Sequence, residues 1–136
     1  VPVLRSFVFM MALVAALLAG CGRDDGLARV SGKVTVDGQV PALGSSITFF
    51  PNDGKSRSAG ATLENGNYTV DVPRGEARVE IRVPKTVPNP NASTQGPGAG
   101  DRVTESLPAK YNDKSELKMT VEAGNNTKDW EVSTMP

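Results

Sequence analysis

Asn65-Gly66-Asn67-Tyr68-Thr69-Val70-Asp71-Val72-Pro73-Arg74-Gly75-Glu76-Ala77-Arg78-Val79-Glu80-Ile81-Arg82-Val83 decides the fold class. Asn-Gly is the strongest two-residue hairpin signal, because both residues accept the positive φ angles that a tight reversal between strands demands. After it, Tyr68, Val70 and Val72 alternate with Thr69 and Asp71, the period-two pattern of a strand with one apolar face. Pro73-Arg74-Gly75 turns the chain, and Val79, Ile81 and Val83 then alternate with Arg78, Glu80 and Arg82. This run buries one face and solvates the other, as strands of an antiparallel sheet do.

The same grammar extends in both directions. Val30, Val34 and Val36 alternate with Ser31, Lys33 and Thr35 before an Asp37-Gly38 turn, which predicts a first strand. Residues 45–50 are a compact β-branched and aromatic run closed by Pro51-Asn52-Asp53-Gly54, which predicts a second. Residues 57–64 are weaker and small, and the Asn65-Gly66 signal joins them to the next strand, so strands three and four are expected as one hairpin. Leu117, Met119 and Val121 alternate with Lys118 and Thr120, and Gly124-Asn125-Asn126 separates them from Trp130 and Val132, which predicts a second hairpin. Between these lies 84–109, with five prolines and the run Gly96-Pro97-Gly98-Ala99-Gly100. That composition offers too little apolar surface to offset its ordering entropy, so a long mobile loop is expected. About seven short strands, with no helical periodicity after residue 20, predict an all-β chain folded as an antiparallel β-sandwich, with a closed barrel as the alternative.

The N-terminal region carries a different kind of signal. Leu18-Ala19-Gly20-Cys21 closes an uncharged apolar segment, 7–18, that follows Arg5. The segment has the length of a signal-peptide core, whereas a spanning helix needs about 20 apolar residues. The pattern is the one that bacterial lipoprotein signal peptidase cuts. Small Ala19 and Gly20 let the backbone enter the peptidase site, and the Cys21 thiol is the only side chain there able to carry a thioether-linked diacylglycerol. The expectation is a signal peptide over 1–20, a lipidated Cys21 with a polar tether over 21–28, and one domain over 29–136. Each buried methylene contributes about 0.8 kcal/mol, so several acyl chains hold a membrane firmly where one holds only marginally. An uncleaved anchor helix and a general secretory signal are the alternatives, and both leave the domain on the extracytoplasmic side of the cell envelope.

Composition narrows the function classes. Removing residues 1–20 from the 136 leaves 116, enough for one modest core and short for two domains. Arg5 leaves with that segment, so 14 basic residues face 15 acidic ones, and there is no electrostatic case for nucleic acid. Cys21 is the only cysteine, so no disulfide staples the domain. The chain has no histidine, which removes the commonest general base and transition-metal ligand. No catalytic residue, metal or cofactor is expected.

The candidate contact residues are aromatic. Tyr111 and Trp130, with Phe50, are candidates for stacking on the C–H face of a sugar ring, although Trp130 shares its strand face with Val132 and reads first as core. Aromatics are only 5% of the chain, which makes a broad carbohydrate platform hard to build. Asp24, Asp25, Asp53, Asp101 and Asp113 have no calcium-loop spacing, and Asp53 reads as a turn residue bonded to local backbone. The glycine-rich run 96–100 lacks a following Lys-Ser or Lys-Thr, so it is no phosphate loop.

The order Val30-Ser31-Gly32-Lys33-Val34-Thr35-Val36-Asp37-Gly38, Ile47-Thr48-Phe49-Phe50-Pro51 and Gly66-Asn67-Tyr68-Thr69-Val70, then a turn and a strand of alternating charge, resembles the carboxypeptidase regulatory-like, transthyretin-like domain of many small bacterial lipoproteins. Leu107-Pro108-Ala109-Lys110-Tyr111-Asn112-Asp113 and the closing strands are similar to that group too. The resemblance implies a prealbumin-like sandwich of about seven strands with no catalytic residues to carry over. In metallocarboxypeptidases such a domain accompanies a zinc peptidase domain, and neither that domain nor its histidine ligands exist here. The expected function is therefore a non-catalytic, lipid-anchored envelope protein whose sandwich binds a partner protein or serves structurally. The alternative is an extracytoplasmic carbohydrate-binding module.

Overall fold

The structure, a computed structural model, describes residues 25–96 and 100–136. The expected signal segment, with Leu18, Ala19 and Gly20, and the expected lipid-bearing Cys21 lie outside the described residues. Ten strands follow in order: β1 (Leu27–Val36), β2 (Ser46–Pro51), β3 (Ala59–Thr62), β4 (Asn67–Pro73), β5 (Gly75–Arg82), β6 (Pro84–Val87), β7 (Arg102–Glu105), β8 (Leu117–Val121), β9 (Asn125–Thr127) and β10 (Trp130–Val132). A four-residue helix, α1 (Ala92–Gln95), separates β6 from β7, and a 3-10 turn at Ala109–Tyr111 precedes β8. The chain is thus all-β, as the alternation predicts.

Two sheets make a sandwich. The first is ordered β10-β1-β4, with β9 also beside β1, and the second β3-β2-β5-β8. Val30 and Val34 of β1, Tyr68 and Val72 of β4 and Trp130 and Val132 of β10 form one inner face. Ile47, Phe49, Ala77, Val79, Ile81 and Val121 form the other, and the Phe49 and Tyr68 rings come within 6.1 Å, centroid to centroid. Each fully buried valine, isoleucine or phenylalanine contributes about 1.5–3 kcal/mol, and this packing replaces the disulfides that the chain lacks.

Three expectations are corrected. Strands β3 and β4 do not form a hairpin: β3 pairs with β2 and β4 with β1. Asn65 and Gly66 do adopt positive φ, 50° and 81°, and Glu64 and Asn67 bridge across them. The turn nevertheless carries the chain from one sheet to the other, because Leu63 N donates to Ser45 O while Gly66 O accepts from Val34 N. The C-terminal strands are not a hairpin either. β8 pairs with β5, whereas β9 and β10 run parallel to β1, so the first sheet is mixed and every other pairing is antiparallel. Alternation reports which face of a strand is buried, not which strand lies beside it.

The third correction concerns 84–109, expected as a loop. It is an arm: β6 and β7 pair antiparallel from Pro84↔Glu105 to Val87↔Arg102, apart from both main sheets. Nearly all of its residues are exposed, so backbone pairing and a buried root hold it rather than a core of its own. At the root Val83 and Leu107 are buried, and Glu105 Oε1 accepts from both of their backbone N–H groups at 2.9 and 3.0 Å.

A polar spine crosses the first sheet where β9 gives way to β10. Gly32 faces inward opposite Tyr68, and a Cβ at Gly32 would stand 1.8 Å from Lys128 O. Glycine leaves room for that carbonyl. Tyr68 Oη donates to Lys128 O at 2.5 Å and accepts from Trp130 Nε1 at 3.2 Å, while Lys128 N donates to Ser31 O and Asp129 Oδ1 accepts from Lys33 N, each at 2.9 Å. Burial pushes the Tyr68 hydroxyl up to about 12.

Candidate functional site

Strand directions give the sandwich two unlike ends. At one end the described chain begins: Gly26 O accepts from Arg74 N, and Arg29 N donates to Gly124 O. The β2–β3, β4–β5 and β8–β9 connections lie there as well. Asp53, read as a turn residue, behaves as one in the first of these, its carboxylate accepting from the Ser56 hydroxyl and from the Ser56 and Lys55 amides. Those bonds hold its carboxyl down at about 2.

At the opposite end are the β1–β2 loop, the turn between β3 and β4, the arm, the 3-10 turn and the C-terminus. β5 ends at Arg82 and the arm starts two residues later, beside the β1–β2 loop at Gly44. Arg82 Nη2 donates to Asp113 at 2.6 Å and to Glu80 at 3.2 Å, which fastens the 3-10 turn to β5. The C-terminus is clasped by Asp37, whose carboxylate accepts from Thr134 Oγ1 at 2.6 Å and Ser133 Oγ at 2.7 Å. These hydrogen bonds, the Thr134 hydroxyl first, hold the Asp37 carboxyl below the usual carboxylate range.

This second end is also where apolar side chains meet solvent. Val40, Leu43, Val87, Val103 and Met135 are exposed there, Leu43 by 92% and Val103 and Met135 by 71% each. Among the described residues the sixth exposed large hydrophobic, Leu27, lies at the other end. The β1 strand between the two ends has ten residues, roughly 30 Å of extended chain.

The candidate aromatics fall at different places. Trp130 is 7% exposed, its indole N–H held by Tyr68 and its ring covered by Lys128 Nζ at 5.1 Å. It forms part of the wall of a hollow of about 380 Å³ with Lys33, Thr35, Asp129 and Glu131. Tyr111 is half-buried in the 3-10 turn at the arm end, with Lys110 Nζ 5.2 Å from its ring. Phe50 sits at the end of β2 nearest the start of the described chain, under the Arg78 guanidinium, 4.8 Å away. The structure therefore brings no two of these three onto one flat surface. Among the described residues no group of three or more Asp, Glu, His or Cys side chains is placed to hold a metal ion, and no helix is long and apolar enough to cross a membrane.

Two features escape a reading of the sequence. The arm strands are one: Lys85-Thr86-Val87 and Arg102-Val103-Thr104 are short β-branched runs on either side of the proline-glycine segment, and that flanking symmetry was the available signal. Asn112 is the other, buried at 2% exposure, its side chain bonded to Leu107 O and Asp113 N.

No family model matches the chain, and no curated protein matches it. Among solved structures, a candidate adhesin from Bacteroides ovatus ATCC 8483 is similar, with a TM-score of 0.50 and 19% identity over 85% of this chain and 49% of that one. The chain spans about half the length of that neighbour, and the likeness is one of fold.

Proposed function

We propose that this chain is a non-catalytic, lipid-anchored protein of the cell envelope, of the carboxypeptidase regulatory-like kind, that presents its arm and adjoining loops to a partner protein. The observation that carries the reading is the polarity of the sandwich. The segment that leads back to Cys21 leaves from one end, and five of the six exposed large hydrophobics among the described residues lie at the other. A lipid on Cys21 then holds the tether end at the membrane and turns the arm end outward, about 30 Å away by the rise of β1. The fold shared with a candidate adhesin supports a binding role over a catalytic one. Absence of histidine and of a second cysteine supports it too.

The test has two parts. Intact mass spectrometry on the membrane fraction of expressing cells is expected to find a form that begins at acylated Cys21 and is lost when globomycin blocks the signal peptidase. A chain that keeps residues 1–20, or is cut without lipid, removes the anchor from the proposal. Deleting 88–100 is then expected to abolish co-purification of envelope proteins while leaving the sandwich folded, and unchanged co-purification removes the arm.

A further inference from the structure

The open side of the sandwich between β3 and β4 is built unlike its other edges. Gly66 O and Arg74 N bond toward β1, and strand bonds alternate in direction, so the backbone groups of Tyr68, Val70 and Val72 face β1 and those of Thr69 and Asp71 face outward. By the same alternation Leu63 N, bonded to Ser45 O, sets Ala59 and Ala61 toward β2 and leaves those of Gly60 and Thr62 outward. Neither strand has a hydrogen-bonded neighbour on that side, where the two strands approach each other. Between them lies a groove of about 440 Å³ lined by Ala61, Thr62, Glu64, Asn65, Asn67, Tyr68 and Thr69.

Free strand edges are normally defended by charge, proline or a break in the strand. β8 carries Lys118, and the β9–β10 edge is broken at Lys128 and Asp129. β3 is Ala-Gly-Ala-Thr, with no charge, and on β4 the charge of Asp71 is matched by Arg29 at 3.0 Å. The groove itself contains one acidic side chain, the exposed Glu64, for which no ion pair exists among the described residues.

We propose that this groove accepts an extended peptide segment, which adds as a strand beside β4 and places a lysine or arginine against Glu64. Outward N–H and C=O groups at alternate residues are what an added strand requires, and β4 offers them at Thr69 and Asp71, between Asn67, whose backbone is bonded to Glu64, and Pro73, which has no N–H. The groove takes in the β3–β4 turn at the arm end but none of the arm's own residues, and it does not depend on the anchor, so deleting the arm or losing the lipid leaves its test unchanged.

The probe is a phage-displayed library of random twelve-residue peptides, panned on the purified protein, with the best binder titrated by fluorescence anisotropy. Enriched sequences are expected to alternate β-branched residues and to carry Lys or Arg, and binding is expected to slow amide exchange at Thr69 and Asp71. Thr69→Pro removes an outward donor without touching the β1 ladder, and at least a tenfold loss of affinity is expected with the thermal midpoint held. Glu64→Lys is expected to weaken binding by a similar factor, and it decides the matter should the proline variant fail to fold. Absence of enrichment, binding that both variants leave intact, or a wild-type dimer in sedimentation that Glu64→Lys turns into monomer each overturns the proposal, the last by giving the edge to a second copy.

Discussion

At Gly32 one missing methyl group lets a carbonyl from the C-terminal segment sit on the inner flank of β1. Gly32→Ala would drive a Cβ into backbone that cannot yield, and overpacking of this kind costs about 3 kcal/mol. Denaturant unfolding is expected to show that loss, with a smaller one for Lys33→Ala, whose side chain is exposed. Tyr68→Phe strands Lys128 O and the Trp130 indole N–H without their hydrogen-bond partner, for an expected cost of about 2 kcal/mol. The same hydroxyl sets an alkaline limit. Its folded pKa is raised to about 12, above the ordinary value of 10.0, so the unfolded chain loses this proton first. Stability from this group is complete below the ordinary value and falls as pH rises through the folded one. Denaturation midpoints taken from pH 9 upward are expected to fall steeply in the wild type and less steeply in Tyr68→Phe.

Strand by strand, alternation located the core well and the neighbours poorly. Val30, Val34, Val72, Val79 and Ile81 all stand on buried faces, where period two put them. That Asn65-Gly66 and the turn at 122–124 cross between sheets was not legible, because a tight turn has the same local chemistry whether the flanking strands pair or part. The arm escapes pattern reading for another reason: its strands show no buried face, and the pattern depends on burial. Of the candidate site, the aromatics are visible as residue types, while the polarity that sets the start of the described chain against the arm emerges only from strand directions. Deleting 88–100 spares the buried root at Val83 and Leu107. The thermal midpoint is therefore expected to move by no more than about 2 °C, which corresponds to well under 1 kcal/mol. Glu105→Ala removes the acceptor that ties both sides of that root, and it is expected to speed amide exchange at Val83 and Leu107 without unfolding the sandwich.

For the molecule as a whole, cohesion comes from one shared apolar layer. Ile81 is fully buried at its centre, so Ile81→Asp places an unpaired charge there and circular dichroism is expected to report an unfolded chain. Cys21→Ala leaves that layer alone, and the protein is expected to stay folded while leaving the membrane fraction. The parallel placement of β9 and β10 along β1 bears on the order in which a chain becomes a protein. Lys33 waits for Asp129, ninety-six positions downstream, before the flank of the first strand is covered. Long-range closures of this kind are slow, since loop entropy must be overcome before the contact returns anything. A polypeptide delivered N-terminus first thus has an unfinished first sheet until β9 and β10 arrive, although the second sheet is complete at Val121. The C-terminal dozen residues act as a latch on the beginning, and a chain ending at 123 is expected to remain open, however complete its other strands.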